Sequence, residues 1–451
     1  MRAKMMIASL AGLALLGGCA STGWLAPQPA IAEPAASAGP ADDGRITGLM
    51  ADARVQAAFS EIEAMRMLNN ERLVDLTEIP APPFAEQARG AEMAARMRAL
   101  GLDDVSTDAV GNVIGRRPGT AGNEARSIAI VAHLDTVFPE GTDVTVHREG
   151  DLFTAPGIGD NSRGLVVLLS LIDAIQRAGI ETRDDLVFIA SVGEEGLGDL
   201  RGVRHLYADG ASPFDSFIAI DGGEAARLVV TAVGSIRYRV TFRGPGGHSY
   251  GAFGRAQPHQ ALAEAILRFT EAATPITESG PKATFSFGRV GGGTSVNSIP
   301  FESWMEVDMR SANPPKLAAL HAAFLGAVDD ALEAANARRR QGDAMTVELD
   351  AVGNRPPGEG DLAAPLVQNA MAAMRALGLE PELAASSTDA NIAISRGVPA
   401  VTLSRGGISR NAHAPNESWQ DEQSHEAIQI ALLVALAEAG LAEGQAVSGP
   451  D

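Results

Sequence analysis

Four short, mainly apolar runs constrain the fold of this chain more than any other feature of its sequence; three are continuous and the fourth is interrupted only by Thr402. Apolar runs of four or five residues, bounded by polar segments, are typical of strands that a parallel sheet buries on both faces. Segments with helical periodicity separate the runs, and this alternation predicts a mostly parallel α/β sheet. The runs cover residues 128–132, 186–190, 217–220 and 400–403.

A second pattern interrupts the first between residues 234 and 351. Its strands alternate polar and apolar residues, as half-buried antiparallel strands do. Their order with two helices is β-α-β-β-α-β, which fits a ferredoxin-like domain. We therefore predict a discontinuous α/β domain over 49–233 and 352–445, with a smaller inserted domain, a lid, over 234–351.

The N-terminus has the features of an export signal. A basic start that includes Lys4 precedes an apolar run too short to span a bilayer comfortably. Leu16-Gly17-Gly18-Cys19 then resembles the site at which bacterial lipoprotein precursors are cleaved and acylated on cysteine, and residues 20–48 form an Ala/Pro-rich tether. We expect a signal peptide over 1–19 and a periplasmic protein lipid-anchored through Cys19. Cleavage after Ala32, in Ala30-Ile31-Ala32, is the alternative.

Composition narrows the range of partners. The chain of 451 residues has 36 Lys and Arg against 56 Asp and Glu, a formal charge of −20. Such a surface repels phosphate backbones, so we expect no nucleic-acid partner. Cys19 is the single cysteine, which excludes an internal disulfide framework and any cysteine-based zinc site.

Residues of the types that bind metals follow the ends of the apolar runs. In open parallel α/β sheets, ligands bind at the edge formed by the carboxyl ends of the strands. A glycine-rich turn, residues 157–161, places one further acid where it can point at that edge. The candidates are His133 and Asp135 after the first run, Glu194 and Glu195 after the second, Asp221 after the third, His413 beyond the fourth, and Asp160 in the turn.

This combination of side chains predicts a metal centre. Imidazoles and carboxylates without cysteine form a nitrogen and oxygen ligand set that suits zinc, with cobalt or manganese as alternatives. More acids are present than one ion needs, which favours two ions about 3.5–4 Å apart that share a bridging carboxylate. Residues i and i+2 of a strand share a face, so Asp135 is expected to orient the His133 imidazole. Glu224 is the alternative to Asp221 as a ligand.

The ordered set resembles metallopeptidase family twenty. This family of dizinc hydrolases includes peptidase T, glutamate carboxypeptidase, aminoacylase, acetylornithine deacetylase and succinyl-diaminopimelate desuccinylase. The resemblance covers roughly residues 71–441 and is nearest to peptidase T-like members, because of the Asp-Gly-Gly stretch at 221–223 and residues 387–391. The other matching stretches are Ala132-His133-Leu134-Asp135-Thr136, Gly157-Ile158-Gly159-Asp160-Asn161, Gly193-Glu194-Glu195-Gly196, Gly246-Gly247-His248-Ser249 and Asn411-Ala412-His413.

The resemblance implies a role for each metal-type residue. His133 and Asp221 would bind one ion, Glu195 and His413 would bind the other, and Asp160 would bridge the two. Glu194 would be the general base, which takes a proton from a metal-activated bridging water. The implied activity is hydrolysis of an amide bond in small peptides or N-acyl amino acids.

The resemblance also assigns roles in the inserted domain, which matches the family's lid and dimerisation domain. His248 would donate a hydrogen bond to the developing oxyanion, and Asn297 would line the site. Arg310 would hold a substrate carboxylate, because its planar guanidinium suits that group. A homodimer is therefore expected.

Two alternatives to a peptidase remain at this point. An N-acyl amino acid deacylase of the same family would use the same residues, since the lid determines which substrate fits. A non-catalytic solute-binding lipoprotein would also be exported, acidic and two-domain α/β. Only the enzyme needs the metal-type set together with a spare base.

Overall fold

The computed structural model describes residues 43–102, 104–208, 210 and 212–442. The predicted signal peptide, Cys19 and the alternative cleavage site at Ala32 lie outside these residues. None of the helices in the described ranges is both long enough and apolar enough to cross a membrane.

The α/β domain begins with helices and then alternates strands with helices. Its loops contain three short helical turns. Two are 3-10 turns, at Gly122–Glu124 and Gly196–Gly198, and one is a π-helical turn at Ile158–Arg163. Its elements before the lid are helices α1 (Asp43–Ala51), α2 (Ala53–Ala64), α3 (Arg66–Thr77), α4 (Gln87–Ala99), α5 (Gly164–Arg177) and α6 (Arg201–Leu206), and strands β1 (Asp104–Thr107), β2 (Val113–Arg117), β3 (Ser127–His133), β4 (His147–Glu149), β5 (Leu152–Thr154), β6 (Asp185–Ser191), β7 (Ser216–Ile220) and β8 (Arg227–Ala232).

The lid and the returning part of the α/β domain follow in chain order. The lid consists of β9 (Gly234–Arg243), β10 (Gly247–His248), α7 (Pro258–Thr277), β11 (Ala283–Gly292), β12 (Ser298–Ile299), β13 (Glu302–Ser311), α8 (Pro314–Arg338) and β14 (Thr346–Arg355). The chain then returns with β15 (Gly358–Glu359), α9 (Pro365–Ala376), β16 (Glu382–Ser386), α10 (Ala390–Ser395), β17 (Ala400–Leu403), β18 (Ile408–Arg410), β19 (Ser418–Gln420) and α11 (His425–Ala439).

The main sheet has nine strands, eight of them in the order β1-β2-β6-β3-β7-β17-β8-β15, while β16 pairs with β8. Its central strands β6, β3, β7 and β17 are parallel. These four strands are the four apolar runs of the sequence, and their carboxyl ends lie along one edge. The predicted fold class is therefore confirmed.

Both faces of the central strands are buried, as their composition predicts. Alternate residues of β3 contribute to different cores: Ile128 and Ile130 belong to the core on the side of α5, α9 and α11, whereas Ala129 and Val131 belong to the core on the side of α6 and α10. This alternation is the two-residue period of a strand. Helix α11 is apolar around its whole circumference because it is buried along nearly its full length.

The tether is shorter than the sequence predicts. Residues 43–51 form helix α1, although the predicted tether extends to residue 48. Ile46 and Leu49 are buried in the main core, and Arg45 Nη1 donates to the carbonyl oxygen of Ala437 at 2.8 Å. The Ala/Pro-rich composition of the preceding segment predicted a tether here, but α1 buries its two apolar residues, Ile46 and Leu49, against α9 and α11.

The lid has its own sheet and core. Its antiparallel sheet has the order β11-β13-β9-β14, and Phe269 of α7 and Phe324 of α8 are fully buried against it. The order of elements is the predicted β-α-β-β-α-β. Strand β14 continues to Arg355, four residues beyond the predicted end of the lid at 351, and Arg355 itself is buried.

Candidate metal centre

The carboxyl edge of the main sheet collects the predicted ligands. His133 is the last residue of β3, Glu194 and Glu195 follow β6, and Asp221 follows β7. His413 comes from the loop between β18 and β19. Three groups of side chains have ligand atoms within 4.8 Å of one another: His133 with Asp160 and Asp221, His133 with Glu194 and Glu195, and Asp160 with Glu195 and His413.

Asp160 lies between the two imidazoles. Its Oδ1 atom is 3.3 Å from His133 Nε2, and its Oδ2 atom is 3.2 Å from His413 Nε2. Glu195 Oε1 is 2.9 Å from the same His413 nitrogen. A carboxylate with one oxygen facing each imidazole has the arrangement that a bridging ligand requires.

The donor set fits a metal. His133 is buried, and its Nε2 atom has no hydrogen-bond partner among the described residues. A buried polar atom without a partner is costly, so its position among carboxylates indicates a ligand. Hydrogen bonds to Asp160 and Glu195 raise the pKa of His413 to about 10, which reflects the excess of negative charge here. Divalent ions would neutralise that charge and displace the proton.

Asp135 lies beside the His133 imidazole that it was predicted to orient, and its carboxylate has a further role. Strand β3 ends at His133, so the two residues are not neighbours on one face of a strand. The carbonyl oxygen of Asp135 lies 3.0 Å from His133 Nδ1, whereas its carboxylate is 3.6 Å away. That carboxylate accepts instead from the backbone N–H groups of Glu194 and Glu195, at 3.0 and 2.8 Å. Asp135 therefore orients the imidazole through its backbone and holds the two glutamates through its side chain.

Glu194 is buried beside the ligands and bound to an arginine. Arg355 Nη1 lies 3.0 Å from Glu194 Oε1 and also donates to Ser387 Oγ at 3.0 Å. Burial raises the pKa of Glu194 well above its usual value, and the charge of Glu195 raises it further, although Arg355 opposes both effects. A carboxylate with a raised pKa is a stronger base at neutral pH. Arg355 is a site residue that the sequence analysis missed.

Glu417 fixes the turn that carries Asp160. Its buried carboxylate accepts from the backbone N–H groups of Gly157, Gly159 and Asp160 at 3.0, 2.9 and 2.8 Å. Glu417 was not among the predicted site residues, because the edge rule locates residues that touch a metal and not those that hold the ligands in place. The one indication in the sequence that Glu417 belongs to the site is its position four residues after the predicted ligand His413.

Glu417→Ala is expected to lower the free energy of unfolding by about 2–4 kcal/mol, because backbone groups bonded to a buried charge lose their partner. Denaturant unfolding measures this loss, and the zinc content should fall because Asp160 is no longer held. Exposed Glu422 gives a matched control, Glu422→Ala, which should change neither quantity. If the free energy of unfolding and the zinc content of Glu417→Ala are unchanged, the turn at residues 157–161 keeps its conformation without Glu417.

Arg405 places a cation within the candidate metal centre. It is buried two residues beyond the end of β17, and its Nη1 atom is 3.1 Å from both Asp160 Oδ1 and Asp221 Oδ1. It thus neutralises part of the charge of two predicted ligands. Arg405 follows the end of a central strand, as the predicted ligands do. It was not among the predicted site residues because a guanidinium does not bind metals.

Arg405→Met is expected to tighten zinc binding by about tenfold or more, because a positive charge near 3 Å opposes a divalent ion held by the same carboxylates. Calorimetric titration of the metal-free protein with zinc gives the affinities, and the metal-free variant should unfold at a lower temperature. Arg410→Met is the matched control, because Arg410 is the exposed residue at the end of β18. Weaker zinc binding in Arg405→Met would mean that the guanidinium supports the ions instead of opposing them.

A cavity of about 810 Å³ opens beside these residues. Lid residues Arg237 and Arg310 line it together with Asp160, Glu195 and Asp221. A volume of this size holds a small peptide or an acylated amino acid. The structure therefore brings Arg310 to the candidate site, although Arg310 Nε also donates to Asp308 Oδ2 at 2.6 Å.

His248 and Asn297 do not line this cavity. They lie near each other on the lid, where β10 pairs with β12 and Ser249 N donates to the Asn297 carbonyl oxygen at 2.9 Å. Both side chains are exposed. Glu224 does line the cavity but is exposed and belongs to none of the three ligand groups, so Asp221 is the better placed of the two acids.

Comparison with known proteins identifies the family. The sequence profile of peptidase family M20/M25/M40 matches residues 129–437, which include the predicted ligands and base. The chain belongs to this family. The predicted resemblance is thus confirmed, and this family member carries the lid that the sequence pattern indicated.

Individual relatives are distant. A peptidase T-like protein of Rhizobium meliloti is 26% identical over 277 residues, which cover 53% of this chain and 65% of the relative. Carboxypeptidase G2 of a Pseudomonas species is 24% identical over 271 residues, which cover 57% of this chain and 62% of the relative. The matched stretches thus span slightly less than two thirds of each relative.

Solved structures share the fold over nearly their whole length. Aminopeptidase PepT from Bacillus cereus superposes with a TM-score of 0.65 at 21% identity, covering 82% of this chain and 98% of that one. Human carnosine dipeptidase 1 also gives a TM-score of 0.65, at 12% identity, with coverage of 85% and 99%. At such identities the likeness establishes the architecture of both domains and not the substrate.

Proposed function

We propose that this chain is a metal-dependent hydrolase that cleaves an amide bond in small peptides, acting as an exopeptidase. The observation that carries the proposal is the cluster of two imidazoles and three carboxylates with a further buried carboxylate, Glu194, beside it. The printed names of the relatives, a peptidase T-like protein and a carboxypeptidase, support a peptide substrate.

We infer two divalent ions, zinc first and cobalt or manganese as alternatives. His133 and Asp221 would hold one ion, Glu195 and His413 the other, and Asp160 both, since its oxygens face different imidazoles. The bound ions would polarise the scissile carbonyl and lower the pKa of the attacking water.

Glu194 is the base in this proposal. It lies next to the ligand Glu195, and its own carboxylate is paired with Arg355. From this position it takes a proton from the attacking water and gives it to the leaving nitrogen. Asp135 holds both glutamates by their backbone, so it is a positioning residue for the base and for the ligand.

An N-acyl amino acid deacylase is the second candidate. An N-carbamoyl-L-amino-acid amidohydrolase of Paenarthrobacter aurescens is 34% identical over 166 residues, which cover 35% of each chain. The substrate in its name is an N-substituted amino acid and not a peptide. Both candidates need a cation for the carboxylate of the amino acid, and Arg310 in the cavity wall is placed to supply it.

The protein is proposed to be a homodimer, with His248 and Asn297 completing the partner subunit's site. The support is that both residues are exposed on the lid and that neither lines the cavity of their own chain. Tyr250 is 90% exposed and Val296 is fully exposed, next to His248 and Asn297 in the sequence, so this surface offers apolar contacts to a second subunit.

Export and acylation at Cys19 remain a proposal that rests on the basic start, the apolar run and the Leu-Gly-Gly-Cys stretch. Acylation would tether the protein to the periplasmic side of a membrane. Mass spectrometry of the membrane-bound protein tests it, because a mature chain that begins after Ala32 would carry no lipid.

Hydrolysis of a substrate panel tests the proposed function. Zinc-loaded protein is expected to release free amino acids from di- or tripeptides, and activity should disappear on chelation and return with zinc. N-acetyl and N-carbamoyl amino acids in the same panel distinguish the deacylase. Stoichiometric zinc with no hydrolysis of any substrate would instead favour a solute-binding protein.

A further inference from the structure

The candidate cavity contains far more positive charge than one substrate carboxylate requires. Five arginines and five carboxylates line it in a protein whose net charge is −20. Two divalent ions at the proposed ligands would leave the cavity positively charged, and a cavity of one sign attracts molecules of the other. The arginines are Arg227, Arg237, Arg310, Arg355 and Arg405.

Four of the five arginines already have carboxylate partners. Arg355 is bound to Glu194, and Arg405 is bound to Asp160 and Asp221. Arg237 and Arg310 share Asp308, at 3.2 and 2.6 Å. The pairs of Arg355 and Arg405 hold the metal-centre carboxylates in place, and Arg310 lines the cavity beside its partner Asp308. Arg227 differs, because its guanidinium makes no ion pair or hydrogen bond with any described residue.

Arg227 is held beside the metal centre by the turn after Asp221. Gly222 and Gly223 both have a positive φ, and a Cβ atom on Gly223 would lie 2.5 Å from Arg227 Cδ. A Cβ atom on Gly222 would lie 3.0 Å from Arg227 Nη1. Because neither glycine has a side chain, the backbone of the turn packs directly against Arg227. The Arg227 guanidinium therefore lies against Gly222, the residue that follows the predicted ligand Asp221.

We propose that Arg227 binds a second carboxylate of the substrate, so that the enzyme prefers amides of acidic amino acids, with a carboxylate on the side chain as well as on the main chain. This inference rests on the proposed function and names its substrate class. Arg310 takes one carboxylate from the lid side, and Arg227 takes the other from the α/β domain. A planar guanidinium can bind a carboxylate through two hydrogen bonds.

Matched substrate pairs test the preference. Ala-Glu and Ala-Gln, and Glu-Ala and Gln-Ala, differ in charge and little in shape. The wild-type enzyme should favour the acidic member of at least one pair. Arg227→Met should lower kcat/KM for that acidic substrate by about 10–100-fold, the effect of losing a charge-assisted hydrogen bond, and leave the neutral member unchanged. Arg375→Met, on the surface end of α9, is the matched control.

Two results would overturn the proposal. One is a wild-type enzyme that cleaves acidic and neutral members equally. The other is an equal loss on both members in Arg227→Met, which would make Arg227 structural. Arg310→Met should by contrast weaken both members, because both retain a main-chain carboxylate.

A binding measurement separates this proposal from the proposed function. Zinc-loaded protein should bind glutarate more tightly than butyrate, which has one carboxylate fewer, and Arg227→Met should remove the difference. If the protein binds glutarate in this way but hydrolyses nothing, the proposed function fails while the second carboxylate site stands. If the peptides are hydrolysed but glutarate and butyrate bind alike in the wild type, the carboxylate site fails alone.

Discussion

Glu194→Gln is expected to lower kcat by about 10²–10⁴-fold while both proposed metal ions stay bound, because it removes a proton acceptor and no predicted ligand. Glu195→Gln, its neighbour, should instead loosen the ion shared with His413. The pair is a matched comparison, since both residues are buried and both backbone N–H groups are bonded to Asp135. Activity assays and zinc analysis of the same preparations give both readouts.

The reverse outcome is equally informative. Glu194 and Glu195 each belong to a ligand group that contains a histidine, so the structure alone allows either one to bind. Loss of zinc in Glu194→Gln with normal zinc in Glu195→Gln would exchange the two roles. The contact between Arg355 and Glu194 would then hold a ligand instead of a base.

His248→Ala is expected to lower kcat by about 10²–10³-fold, the usual loss when one oxyanion donor is removed. His248 does not line the cavity of its own chain, and in the proposed two-fold dimer each site would take its metals and Glu194 from one chain and His248 from the other. Mixing inactive His248→Ala with inactive Glu194→Ala, with subunit exchange, should restore activity.

The recovery has a defined origin. In each heterodimer one site carries both defects and the other carries neither. Tagging the two variants differently and isolating the mixed dimer gives the control. Isolated heterodimers that remain as inactive as their parents would show that His248 acts within its own chain or has no catalytic role.

Much of the fold follows from local patterns. Three of the four central strands are continuous apolar runs, and Thr402 alone interrupts the fourth. The rule that ligands lie at the carboxyl edge predicts that His133, Glu195 and Asp221 lie close together, and in the structure they do. These predictions succeed because burial on both faces leaves a clear mark on composition. Helix α1 is the counterexample, since an Ala/Pro-rich context obscured its two buried apolar residues.

The supporting residues were not predictable in the same way. Arg355 reaches Glu194 only because β14 extends beyond the predicted lid, and Glu417 acts on a turn 257 residues earlier in the chain. Such contacts depend on how distant segments are juxtaposed, and one sequence carries no record of that pairing. The same limit applies to Asp135, whose carboxylate accepts hydrogen bonds from backbone N–H groups of the loop after β6.

The order in which this sheet is completed has a consequence for the newly made chain. Strand β17 lies between β7 and β8 in the sheet, yet it follows them by about 170 residues, with the whole lid in between. Contacts of such long sequence separation form late, whereas the lid, which has its own core, can fold during synthesis. His413 lies beyond β17, so a nascent or truncated chain lacks one side of the metal centre. The residues proposed to hold the first ion, His133, Asp160 and Asp221, are synthesised before the lid, so only the second proposed ion must wait for the segment that carries His413.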